Sequence, residues 1–142
     1  MLEALKEAEQ AFGINEIPVG AVIVKDGEII ARGHNTREKD KNPLGHAEIN
    51  AIDEAASKLE RWRLSDCEIY VTLEPCPMCA GAILQAKMKR VIFGGYEEKF
   101  GSVGSKFNLY YDHKFNHDVL FTGGVLEKEC TEIIQKFFEQ KR

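Results

Sequence analysis

The sequence predicts an α/β fold in which a mixed sheet of about five strands is covered by helices on both faces. Asp26-Gly27 separates two β-rich apolar runs, which is a strong signal for an antiparallel hairpin. Residues 67–93 have the pattern strand, helix, strand, which is typical of a right-handed crossover between parallel strands. An antiparallel pair combined with a parallel pair predicts a mixed sheet, and the intervening helices predict three layers.

The first half of the chain is predicted to contain two helices and the hairpin. The opening helix ends at Gly13, and its apolar face comprises Leu2, Leu5, Ala8 and Phe12. It is followed by strands over residues 19–24 and 28–32, a polar loop over residues 36–42 and a helix over residues 46–59.

The second half supplies the remaining strands and the closing helix. A buried strand over residues 67–73 precedes a helix that begins at Pro77, because proline in the first turn loses no hydrogen-bond donor. That helix runs to about residue 87 and is followed by a strand over residues 90–93. We then expect a short helix over residues 106–111, a short strand over residues 119–121 and a final amphipathic helix. Its inner face is predicted to carry Leu126, Ile133, Ile134, Phe137 and Phe138.

Length and composition indicate that residues 1–142 form a single compact domain, which is predicted to contain the whole catalytic site. A chain of 142 residues with 44% hydrophobic content can bury a substantial core without a second domain. Its apolar runs are far shorter than a membrane span, and its amino terminus lacks the pattern of a signal peptide. We therefore expect a cytoplasmic protein that does not bind a membrane.

The charge distribution limits how the chain could contact a polyanion. A formal net charge of −4 argues against a protein that coats nucleic acid by bulk electrostatics. Residues 85–117 nevertheless carry a net charge of +3. If a polyanion docks, this stretch is its predicted contact surface, although the charge pattern alone favours an ordinary solvated rim.

Two short motifs predict a metal site. They are His46-Ala47-Glu48 and, after 26 intervening residues, Pro75-Cys76-Pro77-Met78-Cys79. One imidazole and two thiolates suit tetrahedral zinc and leave the fourth position for water, as in catalytic sites. Cys76 and Cys79 are three positions apart at a helix start, so both sulfur atoms can face one ion. We therefore predict one Zn²⁺ per chain, held by His46, Cys76 and Cys79.

Glu48 lies two positions beyond His46, a spacing that turns the two side chains to different sides of a helix. This spacing favours a role beside the metal-activated water, as the catalytic proton carrier, over a role as a fourth ligand. Each residue also has a simpler explanation when taken alone. Cys76 and Cys79 could form a redox pair, His46 could be a surface histidine, and Glu48 could complement a helix dipole.

The motifs together resemble those of the bacterial tRNA-specific adenosine deaminases, a branch of the cytidine deaminase superfamily. The central motifs, shared across the superfamily, are His46-Ala-Glu-Ile and Val71-Thr-Leu-Glu-Pro-Cys-Pro-Met-Cys-Ala-Gly-Ala. Gly33-His-Asn35 is a further matching motif. The features that point to the tRNA branch in particular are Gly101-Ser-Val-Gly-Ser, Asn116-His117 and the Phe137-Phe138 ending. The resemblance extends from Glu16 almost to the end of the chain.

This resemblance implies a cytidine deaminase-like three-layer α/β/α sandwich, a homodimer, and conversion of the wobble adenosine of a tRNA anticodon stem-loop to inosine. By position, it implies that Asn35 hydrogen-bonds the purine ring and that Asn116 contacts the flipped nucleotide. Asn35 could instead be a turn residue after the second strand. Glu97 occupies a place on the RNA-facing rim where relatives commonly carry aspartate, and the resemblance implies that this carboxylate contacts the sugar of the nucleotide preceding the target. Cys67 and Cys130 have no metal-like spacing and are interpreted as buried structural thiols.

Two other functions remain open at this point. A deaminase of the same fold could act on free guanine, cytosine or a nucleotide with the same metal site and a different pocket rim. A zinc or redox module without catalysis is the other alternative. Glu48 discriminates against that module, because a structural zinc site needs no adjacent carboxylate and usually has a fourth protein ligand.

Overall fold

Five strands form one mixed sheet in the computed structural model, which describes residues 1–141. The strands are β1 (Gly20–Lys25), β2 (Glu28–His34), β3 (Cys67–Leu73), β4 (Arg90–Gly95) and β5 (Leu120–Thr122), in the spatial order β2-β1-β3-β4-β5. β1 is antiparallel to both β2 and β3, whereas β3 with β4 and β4 with β5 are parallel pairs. The predicted mixed sheet is confirmed.

The hairpin between β1 and β2 forms where Asp26-Gly27 predicted it. Both turn residues have positive φ, 52° for Asp26 and 77° for Gly27, and Lys25 pairs with Glu28 across the turn. Two left-handed residues match the right-handed twist of the flanking strands. The hairpin therefore follows directly from its turn residues.

Helices cover both faces of the sheet and make three layers, as predicted. The helices are α1 (Leu2–Gly13), α2 (Arg37–Asp40), α3 (Ala47–Leu59), α4 (Pro77–Gln85), α5 (Leu109–Asp112) and α6 (Glu127–Gln140). α1 and α6 pack together on one face, while α3 and α4 pack together on the other. Among the described residues, no helix has the length and apolar character needed to span a bilayer.

Three details differ from the sequence prediction. α1 turns Ala4, Ala8 and Ala11 toward the sheet, and Leu2 is 67% exposed, because small side chains allow the helix axis to lie close to β1. The predicted polar loop over residues 36–42 contains the short helix α2. In α6, Phe137 is buried but Phe138 is 47% exposed.

The core lies between the sheet and the helices, and it brings α3 very close to β2. Ile23, Ile69 and Phe93 from three neighbouring strands are almost completely buried. A Cβ atom added at Gly33 would lie 2.7 Å from the backbone nitrogen of Ala51 in α3, so no larger residue fits there. This close contact fixes the start of α3 relative to the end of β2.

Strand direction places the ends of β2, β3 and β4 at one edge of the sheet. β2 and β3 are both antiparallel to β1, so they run in the same direction, and β4 is parallel to β3. The residues that follow these strands are Asn35, Glu74 and Tyr96. The polar side chains that directly follow the three strands therefore lie at the same edge of the sheet.

Candidate active site

His46, Cys76 and Cys79 converge at this edge of the sheet. His46 is the N-cap of α3, Cys76 is the N-cap of α4, and Cys79 lies in the first turn of α4. The Nδ1 atom of His46 is 3.6 Å from Sγ of Cys76 and 3.5 Å from Sγ of Cys79. The three ligand atoms all lie within 4.8 Å of one another.

These separations fit a metal ion of zinc's size. Zinc–sulfur bonds of about 2.3 Å and zinc–nitrogen bonds of about 2.0 Å at a tetrahedral angle place nitrogen and sulfur about 3.5 Å apart. The observed nitrogen–sulfur distances of 3.5 and 3.6 Å agree with that value. The cluster thus has both the donor set and the spacing of a three-ligand site.

The electrostatics of the cluster favour an anionic sulfur. A hydrogen bond from Cys79, with a second from His46, lowers the pKa of the Cys76 thiol to about 4. The same thiol pair raises the pKa of Cys79, and the neighbouring Cys76 raises the pKa of His46. A divalent cation bound between these side chains would stabilise the thiolate form of the cysteines.

Glu48 lies in the first turn of α3 and is only 4% exposed. Burial raises the pKa of its carboxyl group to about 7, a shift that the nearby Cys76 reinforces. A carboxyl group that titrates near neutral pH can both accept and release a proton. Its side chain lines the same cavity as His46 and Cys76.

That cavity has a volume of about 630 Å³, within the range of small-molecule sites. The polar and charged residues of its wall include Asn35, Arg37, Glu74, Glu97 and Lys99. Apolar side chains complete it, among them Ile17, Pro43, Leu73, Met78, Phe100, Ile134 and Phe138. The cavity can therefore enclose a flat, partly polar ring beside the cluster.

Asn35 lies in the cavity wall immediately after β2 and is 6% exposed. Its backbone amide donates to the carbonyl of Val19 at 3.1 Å. Asn50 fixes the residues on either side, because its Nδ2 donates to the carbonyl of His34 at 2.9 Å and to the hydroxyl of Thr36 at 3.0 Å. A buried amide held in this way can present a donor and an acceptor to a ligand.

Glu97 lies at the cavity rim, two residues beyond β4. The backbone amide of Lys99 donates to Oε1 of Glu97 at 2.8 Å, which orients the carboxylate. Lys99 is the basic residue of the +3 segment (residues 85–117) that lines the cavity. Lys89, by contrast, directly precedes β4, and its backbone amide donates to the carbonyl of Cys67 at 3.0 Å.

Asn116, which the resemblance implies to contact the flipped nucleotide, is not among the residues that line this cavity. Asn116 is exposed in the loop that leads into β5. β5 is parallel to β4, so this loop lies at the opposite edge of the sheet. The ring of His117 contacts the carbonyl of Met88 at 2.7 Å, just before β4 begins, in agreement with that placement.

Two charged residues of the cavity wall, Glu74 and Arg37, were not predicted from the sequence to be site residues. Glu74 follows β3, is 2% exposed and lines the cavity. Arg37 begins α2, whose backbone amides at Glu38 and Lys39 donate to the buried carboxylate of Glu16 at 3.1 and 2.6 Å. Neither residue could be identified from the sequence, because its place in the cavity wall depends on packing between elements that are distant in the chain.

Cys67 and Cys130 are both free and completely buried, as interpreted from their spacing. Burial raises the pKa of each thiol to about 11. Neither contributes to the cluster of possible metal ligands.

Comparisons with known proteins show the family to which the chain belongs. The family model described as MafB19-like deaminase matches residues 1–142. The chain is 47% identical, over its full length and 88% of the relative, to the tRNA-specific adenosine deaminase of Bacillus subtilis (strain 168). It is 49% identical, over its full length and 83% of the relative, to the tRNA-specific adenosine deaminase of Streptococcus pyogenes serotype M1.

A solved structure shows the same architecture. That structure comes from studies of A-to-I editing by tRNA:A34 deaminases at the wobble position of transfer RNA. It aligns with a TM-score of 0.85 and 38% identity, over 92% of this chain and 94% of the other. The fold is thus the cytidine deaminase-like fold that the sequence predicted. With a full-length family match and relatives at 47% and 49% identity, the chain belongs to the MafB19-like deaminases and, among them, to the tRNA-specific adenosine deaminase family.

Proposed function

We propose that this chain is a zinc-dependent hydrolase that converts adenosine to inosine at the wobble position of a tRNA anticodon. The observation that carries the proposal is a buried carboxylate, Glu48, beside a three-ligand cluster in the wall of a cavity. Three ligands and an adjacent proton carrier are the parts that hydrolytic deamination of a base requires. Membership of the family supplies the substrate class.

His46, Cys76 and Cys79 would hold one Zn²⁺ per chain, because their nitrogen–sulfur distances fit tetrahedral coordination. When bound, the ion supplies Lewis acidity that makes a water molecule nucleophilic near neutral pH. A redox role for Cys76 and Cys79 is disfavoured, since His46 contacts both sulfur atoms.

Glu48 moves the protons in the proposed reaction. Its carboxylate takes a proton from the attacking water and delivers it to N1 of adenine while a C6–oxygen bond forms. A second proton passes from the new C6 hydroxyl group through Glu48 to the amino group, the C6–nitrogen bond breaks as the C6 carbonyl forms, and ammonia and inosine result. The pKa of Glu48, raised to about 7 by burial, suits a group that must alternate between base and acid.

Asn35 and Glu97 are proposed to recognise the nucleotide. The amide of Asn35 can satisfy one donor and one acceptor on the edge of the purine ring. Glu97 lies farther out, at the rim, where its carboxylate can accept a hydrogen bond from a ribose hydroxyl of a neighbouring nucleotide. The target base must leave its stack to enter the cavity, and a single-stranded anticodon loop lowers the free energy needed for that.

The assembly and location of the protein follow from the same proposal. We expect a homodimer in the cytoplasm, with residues 1–142 forming one catalytic domain. Light scattering or sedimentation at micromolar concentration measures the oligomeric state directly. A monomer at those concentrations would contradict the dimer and leave the chemistry of the site unaffected.

One assay tests the function directly. Ammonia release is measured from an anticodon stem-loop with adenosine at the wobble position, from free adenosine, and from guanine and cytosine. We expect the stem-loop to be deaminated far more efficiently than every free compound, and Glu48→Ala to lower ammonia release by at least about 10²-fold. Equal or better turnover of free adenosine, guanine or cytosine would instead indicate a deaminase of small metabolites.

A further inference from the structure

Glu74 is a buried carboxylate at the end of β3 that accepts four hydrogen bonds from one loop. Its Oε1 accepts from the backbone amide of Glu97 at 3.1 Å and from the hydroxyl of Ser105. Its Oε2 accepts from the backbone amides of Val103 and Ser105, both at 3.0 Å. Both oxygens are therefore engaged by residues 97–105.

The loop is folded tightly around this carboxylate. A Cβ atom added at Gly101 would lie 2.5 Å from Oε2 of Glu74, so glycine is required at this point of closest approach. The amide of Gly101 donates to the carbonyl of Glu97 at 2.9 Å, and that of Ser102 donates to the carbonyl of Pro75 at 3.0 Å. Residues 97–105 thus close on Glu74-Pro75, directly before the metal ligand Cys76.

The same loop forms the rim of the cavity. Glu97, Lys99 and Phe100 line the opening, and Phe100 is 64% exposed there. A carboxylate, an ammonium group and an aromatic ring are suited to a ribose hydroxyl, a phosphate and a base, respectively. The backbone hydrogen bonds to Glu74 hold these three residues in place, although Glu74 itself is too buried to reach far into the opening.

We propose that Glu74 is a positioning residue that orders the rim loop, residues 97–105, and thereby determines affinity for the RNA around the target nucleotide. This inference rests on the proposed function for the identity of the substrate. The loop geometry that carries it is independent of that identity. Glu74 acts on substrate affinity through the loop, and proton transfer by Glu48 does not depend on it.

Glu74→Gln tests the inference with minimal change of shape. Glutamine replaces one acceptor oxygen with an NH₂ group, which then faces two of the four donors. We expect the backbone amides of Glu97, Val103 and Ser105 to exchange hydrogen at least about tenfold faster. We also expect KM for the stem-loop to rise about tenfold, with kcat within about threefold and zinc content unchanged.

Three further variants separate positioning from a general loss of structure. Glu74→Asp keeps both acceptors and should restore part of the affinity. Ser105→Ala removes one donor, leaves the core intact, and should raise KM less than Glu74→Gln. Glu68→Gln is the control, because Glu68 lies in β3, the strand that Glu74 follows, but pairs with Arg90 at 3.4 Å and does not line the cavity. It should leave KM and loop exchange unchanged.

The outcomes are distinguishable. Unchanged exchange of the three loop amides in Glu74→Gln would overturn the inference whatever the substrate is. Faster exchange with an unchanged KM, or a fall in kcat with loss of zinc, would overturn it as well. Failure of the wild-type protein to deaminate the stem-loop would contradict the proposed function itself, a result that the loop-exchange measurement does not depend on.

Discussion

The Nδ1 atom of His46 lies 3.5 Å from Sγ of Cys79, although the two residues are 33 positions apart in the chain. This contact joins the N-terminal ends of α3 and α4, which pack together on one face of the sheet. The three ligands are therefore held at the N-terminal ends of two packed helices. Metal binding should consequently be coupled to folding.

The first prediction concerns zinc. Purified protein should contain about one zinc per chain, and Cys79→Ala should lose most of it and unfold at a lower temperature, because the remaining two ligands bind zinc weakly. Elemental analysis and thermal unfolding measure the two effects. Cys130→Ala is the control: it removes a buried thiol outside the cluster, so it should lower stability but keep the metal. Full zinc occupancy in Cys79→Ala would contradict the ligand assignment.

The second prediction separates chemistry from metal binding at Glu48. Glu48→Ala should retain zinc yet lose turnover by at least about 10²- to 10⁴-fold, because one group serves more than one proton transfer. Zinc content, circular dichroism and single-turnover deamination are measured on the same preparation. Glu54→Ala, an exposed carboxylate on the same helix, is the matched control and should behave as wild type. Near-normal turnover in Glu48→Ala would refute the proton-transfer role.

The sequence predicted the parts of this fold that depend on local patterns. Asp26-Gly27 determined the hairpin, and the strand, helix and strand over residues 67–93 determined the parallel crossover. The spacing of His46, Glu48, Cys76 and Cys79 was sufficient to predict a cluster, because each cysteine or histidine lies at a helix start. The hairpin and the crossover rest on residues close together in the chain, and the cluster rests on two short motifs of fixed spacing.

Features that depend on long-range packing could not be predicted in the same way. The polar sequence of Arg37–Asp40 did not predict the helix α2, because that helix is stabilised by the carboxylate of Glu16, which lies more than 20 positions earlier in the chain. The place of Asn116 depended on the direction of β5, a strand of only three residues. Glu74 appeared in a recognisable motif, but its partners 23 to 31 positions away became evident only from the fold.

The third prediction concerns Asn35. Asn35→Ala should lower kcat/KM for the stem-loop by about ten- to a hundredfold, because the purine ring loses a buried donor and acceptor. Asn35→Asp keeps the shape and the acceptor but lacks the amide donor, so it should be nearly as impaired. Steady-state kinetics, with zinc content as a check on the fold, decide the point. An unaffected Asn35→Ala would show that Asn35 serves only as the residue that ends β2.

The fourth prediction concerns the two cations of the cavity wall, Arg37 and Lys99. If each neutralises one phosphate, Arg37→Ala and Lys99→Ala should each weaken stem-loop binding and reduce the slope of log K against log salt by about 0.7 to 1. Binding is measured by fluorescence anisotropy at several salt concentrations. Lys58→Ala, an exposed lysine near the far end of α3, should leave the slope unchanged. Slopes equal to wild type in both cavity variants would move the phosphate contacts elsewhere.

The last prediction concerns the preference for RNA over DNA at Glu97. An ionised carboxylate only accepts hydrogen bonds, so a ribose 2′-hydroxyl satisfies it and deoxyribose does not. Glutamate has one more torsion than aspartate to immobilise, which weakens the contact. The Lys99 amide offsets part of that cost by holding Oε1 at 2.8 Å.

Glu97→Asp should therefore sharpen the RNA preference, provided that the shorter side chain still reaches the sugar. Glu97→Ala should reduce the preference, because deoxyribose no longer leaves a desolvated carboxylate oxygen without a donor. The measurement is kcat/KM on two stem-loops that differ only in the 2′-hydroxyl of the nucleotide preceding the target adenosine. Lys99 is unchanged in both variants, so a change in the ratio of kcat/KM for the two stem-loops reports on the carboxylate of Glu97. A ratio that stays the same in wild type, Asp and Ala would identify Glu97 as a solvated rim charge.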